Sequence, residues 1–301
     1  MDRPEDCLQV TPKSRTASIP GEISINQRRW IAVKRNRTTM IGLVMTAGVI
    51  AMTLMAPLLL PYDPDEQFLD QTLEKPSGKF LLGTDQFGRD LLSRILVGSR
   101  TSITVGIISI SLAALIGIPV GILAGYRGKW IDQIITRVVD TIMSFPTLLI
   151  GILVVAALGP GLYKVAIALG IAFVPRFIRL ARGSTLSIKE KGYILSARSI
   201  GASDSRIIFV HCLPNIVGDI TVMATLWVAV AIRVEASLSF LGIGVQPPMA
   251  SWGAMVGSGV DNLFTAPWVS LFPGLAILLA VFSFNLLGDG IRDVVDPKLS
   301  S

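Results

Sequence analysis

Residues 40–60 read MIGLVMTAGVIAMTLMAPLLL, with no charged side chain among them. A helix of that length rises about 31 Å, enough to cross the roughly 30 Å of hydrocarbon in a bilayer. Immediately before it stand Arg28, Arg29, Lys34, Arg35 and Arg37. Clustered basic residues beside an apolar helix mark its cytoplasmic flank, so this first span is expected to run from inside to outside. Pro61, Asp63 and Pro64 stop it. Nearly 40 residues precede the run and no small-residue cleavage pattern follows it, so it reads as a permanent anchor, not a removable leader.

The rest of the chain agrees with a lipid solvent. Hydrophobic residues make up 51% of the sequence, charged residues 16%, and mean hydropathy is +0.63, against about 25% charged residues in ordinary soluble domains. The net charge of +6 does not indicate nucleic acid, because the basic residues fall between apolar blocks and not on one folded face interleaved with aromatics. The two cysteines, Cys7 in a polar tail and Cys212 in a basic loop, form neither a disulfide framework nor a metal-binding pair.

Continuing along the chain, residues 1–39 form a cytoplasmic tail whose first part, broken by Pro4, Pro12, Pro20 and Gly21, is expected to be disordered. Residues 61–100 form an acidic external segment. Within it Phe87, Leu91, Leu92, Ile95 and Leu96 recur at helical spacing, predicting an interfacial helix with Thr84 as N-cap and an Asp90–Arg94 pair. A second span is expected over about 101–125, and a third after the basic loop holding Arg127, Lys129 and Arg137, ending near Leu158. Pro119 and Pro146 are placed to kink these two. Gly159, Pro160 and Gly161 then make an external turn before a fourth span over about 162–180, and a fifth covers about 216–241. An external loop from Gly242 to Pro267, stiffened by Pro247 and Pro248, reads as a re-entrant or gating element, and a sixth span follows over about 269–287. On this topology 20 of the 27 lysines and arginines lie inside, which supports cytoplasmic termini at both ends. The fold class is therefore an all-α membrane protein with six transmembrane helices, a core over 101–290 and a short cytoplasmic tail over 291–301.

The most specific signal lies in the internal loop of that core, at about 184–215. Tyr193–Ile200, then Gly201-Ala202-Ser203, then Asp204–His211 reads as helix, turn, helix, with Gly201 permitting the turn and Ser203 capping the second helix. Small residues Ser196, Ala197 and Ala202 around the turn suit docking into a groove on another protein; a solvated connection is the plainer reading of the same residues.

This loop resembles the EAA motif of binding-protein-dependent ABC permeases, with Ala197, Gly201, His211, Leu213, Pro214 and Asn215 at that motif's spacing. Pro61-Tyr62-Asp63-Pro64, Leu82-Gly83-Thr84-Asp85 with Gly88-Arg89-Asp90, Leu238-Ser239-Phe240-Leu241-Gly242 and Asn285-Leu286-Leu287-Gly288-Asp289-Gly290 resemble the dipeptide/oligopeptide/nickel branch. The resemblance covers nearly everything from Asn26 onward. It implies the architecture of a type I ABC importer permease in the bacterial inner membrane. Its implied partners are a second homologous permease, two ATPases that bind ATP and Mg, and an extracytoplasmic solute-binding protein. Leu195, Ser196, Ala197, Gly201, Ala202, His211, Pro214 and Asn215 are then the ATPase-coupling candidates. Leu195 and Ser196 stand where the motif has Glu and Ala, so an ionic contact to the ATPase is missing and Leu195 is left to pack in its groove.

Arg233 and Glu235 lie within the fifth span, where charge is expensive and marks a pathway, a partner or a snorkelling side chain. Glu235 matches the branch; Arg233 does not. His211 has no ligand-bearing neighbours for a metal site and is read as structural. No phosphate-binding loop is present, since neither Gly78-Lys79 nor Gly128-Lys129 is followed by Ser or Thr. No catalytic site and no cofactor are expected in this chain. The competing class is an ion-coupled secondary transporter working without an ATPase. That class shows internal repeats and several midplane ionisable residues, where this sequence offers only Arg233 and Glu235 and no visible repeat.

Overall fold

The computed structural model describes residues 36–295. Arg28, Arg29, Lys34 and Arg35 of the basic cluster, and the end of the carboxyl tail, lie outside them. The described chain is almost wholly helical, and one isolated bridge, Thr84 to Asp90, is its sole β pairing.

Helix α1 (Arg37–Leu59) starts at Asn36, whose side chain accepts hydrogen bonds from the Thr38 and Thr39 amides. Helix α2 (Leu91–Arg127) is 37 residues long, about 55 Å. Helices α3 (Lys129–Met143) and α4 (Thr147–Leu158) meet at a 90° bend. Helix α5 (Leu162–Lys189) leads to the short α6 (Gly192–Ser199). Helix α7 (Asp204–Phe240) contains a π-helical turn at Ile207–Cys212. The small α8 (Trp252–Ser258) precedes α9 (Trp268–Val295).

Four of these, α1, α2, α7 and α9, are long and apolar enough to cross a membrane, and the bent α3–α4 pair makes five if it counts as one crossing. The expected fourth span, α5, has the length at 28 residues but carries Lys164, Arg176, Arg179 and Arg182. The fold class holds; a count of six rests on the length of α5 and not on its composition.

Three elements differ from expectation, one of them the second arm of the hairpin, which joins the fifth span through the π-helical turn to make the single helix α7. The predicted interfacial helix does not exist as a separate piece. Asp90, not Thr84, is the N-cap, accepting from the Ser93 amide at 2.8 Å, and the helix then runs unbroken into the second span. The one glycine between the two predicted pieces, Gly98, is used for close packing, since a Cβ there would sit 3.3 Å from Trp252. Arg94 does not pair with Asp90 but reaches Asp65 at 2.9 Å. The third span, expected as one helix, breaks instead at Ser144–Pro146. Proline lacks the amide hydrogen a continuing helix needs and disfavours helical geometry in the residue before it. Helix α3 is strongly amphipathic, with Trp130, Ile134 and Val138 forming an exposed apolar stripe and Asp132 and Asp140 turned to arginines of α5.

Between helices in lipid, association depends on close packing, which small residues permit. Gly117, Gly121 and Gly125 of α2 lie one turn apart against α5. A Cβ on Gly121 would sit 2.5 Å from the Ile178 carbonyl oxygen, and one on Gly125 2.8 Å from that of Arg182. Ser109 adds a hydrogen bond across the same interface to the Ala166 carbonyl, at 3.0 Å. Helices α1 and α9 meet in the same manner. Gly42 lies against the Leu286 backbone, Gly290 against Thr39, and the Thr46 hydroxyl donates to the Ser283 carbonyl at 3.0 Å.

A Gly121→Leu substitution therefore should force α2 off α5, at a cost of at least about 1–3 kcal/mol for overpacking. Thermal unfolding of the detergent-purified protein should show a lower midpoint. The same substitution at Gly183, where a Cβ would meet nothing within 4 Å, should leave it near wild type.

Candidate functional site: the helical hairpin and the loop end

The corner of the hairpin forms as the sequence predicts, although its second arm runs on into the fifth span as part of α7. Helix α6 ends at Ser199, Gly201 takes φ +83°, and the Ser203 hydroxyl accepts from the Arg206 amide at 3.4 Å. A left-handed residue is disfavoured for any side chain with a Cβ, which accounts for glycine at this corner. Ile194 and Ile207, one on each arm, are fully buried and anchor the hairpin to the bundle.

Its outward face is apolar. Leu195 is 54% exposed and Ile200 86%. Tyr193, Ser196, Ala197, Ile200, Gly201, Ala202, Arg206 and His211 line a hollow of about 650 Å³. His211 packs its ring 6.2 Å from that of Tyr193, and its carbonyl accepts from the Asn215 amide nitrogen at 2.6 Å. Pro214 is exposed in the first turns after the π-helical segment. The structure thus brings five of the eight coupling candidates, Ser196, Ala197, Gly201, Ala202 and His211, onto one hollow; Asn215 is tied to the His211 carbonyl with Pro214 before it, and Leu195 stands on the exposed face of α6.

A residue that the sequence does not single out holds this corner in place. Tyr126, the penultimate residue of α2, is 4% exposed. Its hydroxyl donates to Asp204 at 2.6 Å and accepts from Arg198 at 3.2 Å, so one oxygen touches both arms of the hairpin. Lys189 donates to the Tyr126 carbonyl at 2.7 Å, and the Lys189 and Arg198 cations lie 5.7 and 5.6 Å from its ring. Nearby, Arg182 of α5 clamps Asp132 of α3, and Arg179 meets Asp140 at 2.5 Å. Ser184 donates to Asp219 at 3.0 Å, tying α5 to α7. The one available signal is position: an aromatic residue followed by Arg127-Gly128 at a span's basic end.

At the opposite, loop end of the bundle, residues 61–90 close on themselves. Asp85 accepts from the Phe87 and Arg89 amides at 2.8 and 3.0 Å and pairs with the Arg89 side chain at 2.7 Å. Tyr62, Phe68 and Phe80 stack into one aromatic cluster. Asp85 and Asp90 are buried, so both serve the fold of this segment.

The two pathway candidates part company. Glu235 is fully buried, and Ser239 donates to it at 2.7 Å. The hydroxyls of Ser102 and Ser251 approach the same carboxyl, but neither closes a bond of good geometry onto its second oxygen. Ser239 also accepts from the Val245 amide at 3.3 Å, and the Trp252 indole donates to the Ile95 carbonyl at 3.0 Å. Glu235 therefore stands where α2, α7 and the 242–251 loop join. Arg233 is exposed and opens on a hollow of about 340 Å³ with Ser237, Phe240, Gly253, Val256 and Ile277.

Tyr126→Phe removes both hydrogen bonds of the hydroxyl and should cost about 1.5–3 kcal/mol, the net worth of hydrogen bonding to charged groups. Hydrogen exchange by mass spectrometry should then show faster exchange over 192–206 and unchanged protection in α9.

Comparison with known proteins matches residues 117–301 to the family described as binding-protein-dependent transport system inner membrane component, and residues 24–76 to the N-terminal TM domain of oligopeptide transport permease C. The chain is 45% identical to the glutathione transport system permease protein GsiD of Pectobacterium atrosepticum, covering 90% of this chain and 91% of that one. It is 42% identical to the dipeptide transport system permease protein DppC of Alkalihalophilus pseudofirmus, covering 89% and 88%. It is 41% identical to the di/tripeptide permease DppC of Pseudomonas aeruginosa, covering 90% and 92%. Among solved structures, the MetNI methionine ABC transporter in inward-facing conformations aligns at a TM-score of 0.56 and 20% identity, covering 68% of this chain and 96% of that one, a likeness of fold.

Proposed function

The chain belongs to the family of binding-protein-dependent transport system inner membrane components, and on that premise we propose that it forms half of the translocation pathway of a bacterial inner-membrane importer for peptides. It is the membrane permease subunit of an ABC importer and depends on ATPase partners. In the proposed assembly it pairs with a second, homologous permease. Two ATPase subunits hold ATP and its Mg, and an extracytoplasmic binding protein delivers the solute. Helix α5 completes six spans, with Arg179 and Arg182 at its cytoplasmic end. Peptide cargo is the reading favoured by the names of the relatives at 41–45% identity.

The observation that carries the mechanical part is the exposed apolar corner at Gly201. Ile200 is 86% exposed beside a hollow held rigidly by Tyr126, at the end of the bundle where basic residues concentrate. A patch of large exposed apolar side chains on a rigid mount marks a protein–protein contact. The ATPase is the partner whose movement must reach the spans. When the ATPases close on ATP, the hairpin is displaced as a unit, and the Tyr126 bridge passes the displacement to α2. Glu235 holds the loop end of α7 to α2, so it orients the external loop and does not itself meet the solute.

Gly201→Val should leave membrane insertion intact and uncouple the assembly: ATP hydrolysis persists while uptake of labelled peptide falls at least about tenfold, the strained corner costing about 1–2 kcal/mol. Uptake at the wild-type level would count against the hairpin as the coupling element. Co-purification from native membranes tests the assembly itself. A second permease and ATPases are expected with the chain, and a homo-oligomer alone would favour an ion-coupled transporter.

A further inference from the structure

Helix α5 carries three arginines in its second half, and the structure treats them differently. Arg179 and Arg182 are paired with Asp140 and Asp132 of α3. Arg176, about two turns nearer the middle of the bundle than Arg182 and about 21 Å along α5 from Leu162, has no acid at ion-pair distance among the described residues. Its guanidinium donates to the Thr147 hydroxyl at 2.8 Å and lies 5.1 Å from the Phe173 ring. It lines a hollow of about 350 Å³ with Ser144, Phe145 and Pro146. Thr147 is the first residue of α4, so the amides at that helix's positive end face the same hollow.

Arg233 repeats the pattern on another helix. It lies about 10 Å along α7 from Phe240, exposed, again with no ion-paired acid among the described residues. A snorkelling arginine lays its stem on lipid-facing surface and lifts its head to the interface. Arg233 instead borders a hollow walled by Gly253 and Val256 of α8 and by Ile277 of α9, with Ser237 one turn away. An arginine near the centre of a span costs about 2.5–3.5 kcal/mol without compensation. Neither arginine has an acid to offset that cost among the described residues; Arg176 has only the Thr147 hydroxyl and the Phe173 ring, and each borders a hollow of similar size.

We propose that Arg233 and Arg176 are an outer and an inner station for a negative group on the transported solute, and that this permease favours peptides of net negative charge. The inference rests on the peptide-importer reading. It deepens that reading by naming a substrate class and the two residues that select it. Guanidinium binds carboxylate through paired, charge-assisted hydrogen bonds, and two stations separated along the pathway let the anion leave one before it is held too tightly by the other.

The test uses the assembled importer in proteoliposomes and a matched pair of labelled dipeptides, Ala-Glu and Ala-Gln, with Arg233→Gln, Arg176→Gln and the corresponding lysine variants. Loss of one charge-assisted contact is expected to lower Ala-Glu uptake about tenfold in either glutamine variant. Ala-Gln uptake should stay within about twofold, and lysine should restore much of the loss. Equal loss of both peptides would overturn the proposal: with the assembly intact it would assign the arginines to the terminal carboxylate that every peptide carries, and with the second permease no longer co-purifying, to acids of that subunit. Unchanged uptake of both peptides would overturn it as well. A wild-type assembly that imports neither dipeptide fails the peptide reading, and this inference falls with it. A wild type that imports both while its variants show no charge preference removes this inference alone.

Discussion

The close approach of α2 and α5 across Gly117, Gly121 and Gly125 is the constraint on which the remaining geometry depends. Lipid supplies no hydrophobic driving force between helices, so the pair is held by backbone contact that larger side chains would forbid. Once α5 lies on α2 at that distance, Arg182 and Arg179 stand over the acids of α3. One residue beyond Gly125, Tyr126 meets the hairpin. A looser contact would carry the phenol out of reach of Asp204 and leave the hairpin held by its packed apolar side chains, among them Ile194, Ile207 and Ile208, and by the covalent chain.

Helix α2 also serves the other end of the bundle. Arg94 in its first turn holds residues 64 and 65, and the Ile95 carbonyl accepts from the buried Trp252 indole. Ser102, about two turns further, borders the Glu235 carboxyl. The fused helix, about 55 Å long, therefore touches the closed 61–90 segment, the 242–251 loop and the hairpin. In an importer whose ATPases act at one end and whose solute enters at the other, a single strut that contacts both ends is a physical route for coupling. Two separate helices, as the sequence suggests, would place a hinge in that route.

Legible in the sequence is whatever depends on length, periodicity or a residue with one special backbone preference. Residues 40–60 need only a count, and Gly201 with Ser203 announces the hairpin because few other residues suit a left-handed corner and a helix cap. The family motifs are readable as patterns but not as causes. Gly288 and Gly290 turn out to be approach points against Leu226 and Thr39, and Gly83 and Gly88 hold positive φ in the 61–90 segment. The glycine ladder of α2 is visible at four-residue spacing, but nothing in the spacing says which helix lies against it. The bend at Pro146 exceeds a kink because a proline shows where a helix is weakened, not how far the chain turns; that is decided by which face of α3 the arginines of α5 attract. Tyr126 is hidden for a similar reason, since its value lies in contacts with residues more than 60 positions away.

The exchange of the motif's Glu for Leu195 also bears on the chemistry of docking. An ionic contact at an exposed corner contributes little and is screened within about 8 Å at physiological salt. The exposed apolar surface here, Leu195 with Ile200 beside it, gains by burial at roughly 25 cal/mol per Å² and is not screened by salt. In the proposed docking, leucine at this position moves the interaction from charge to burial. Of the positive charges that remain, Arg198 and Lys189 contact Tyr126 and help hold the corner, while the exposed Arg206 lines the hollow itself. Orientation is then set by the shape of the hollow beside Gly201, and rigidity by the tyrosine beneath it.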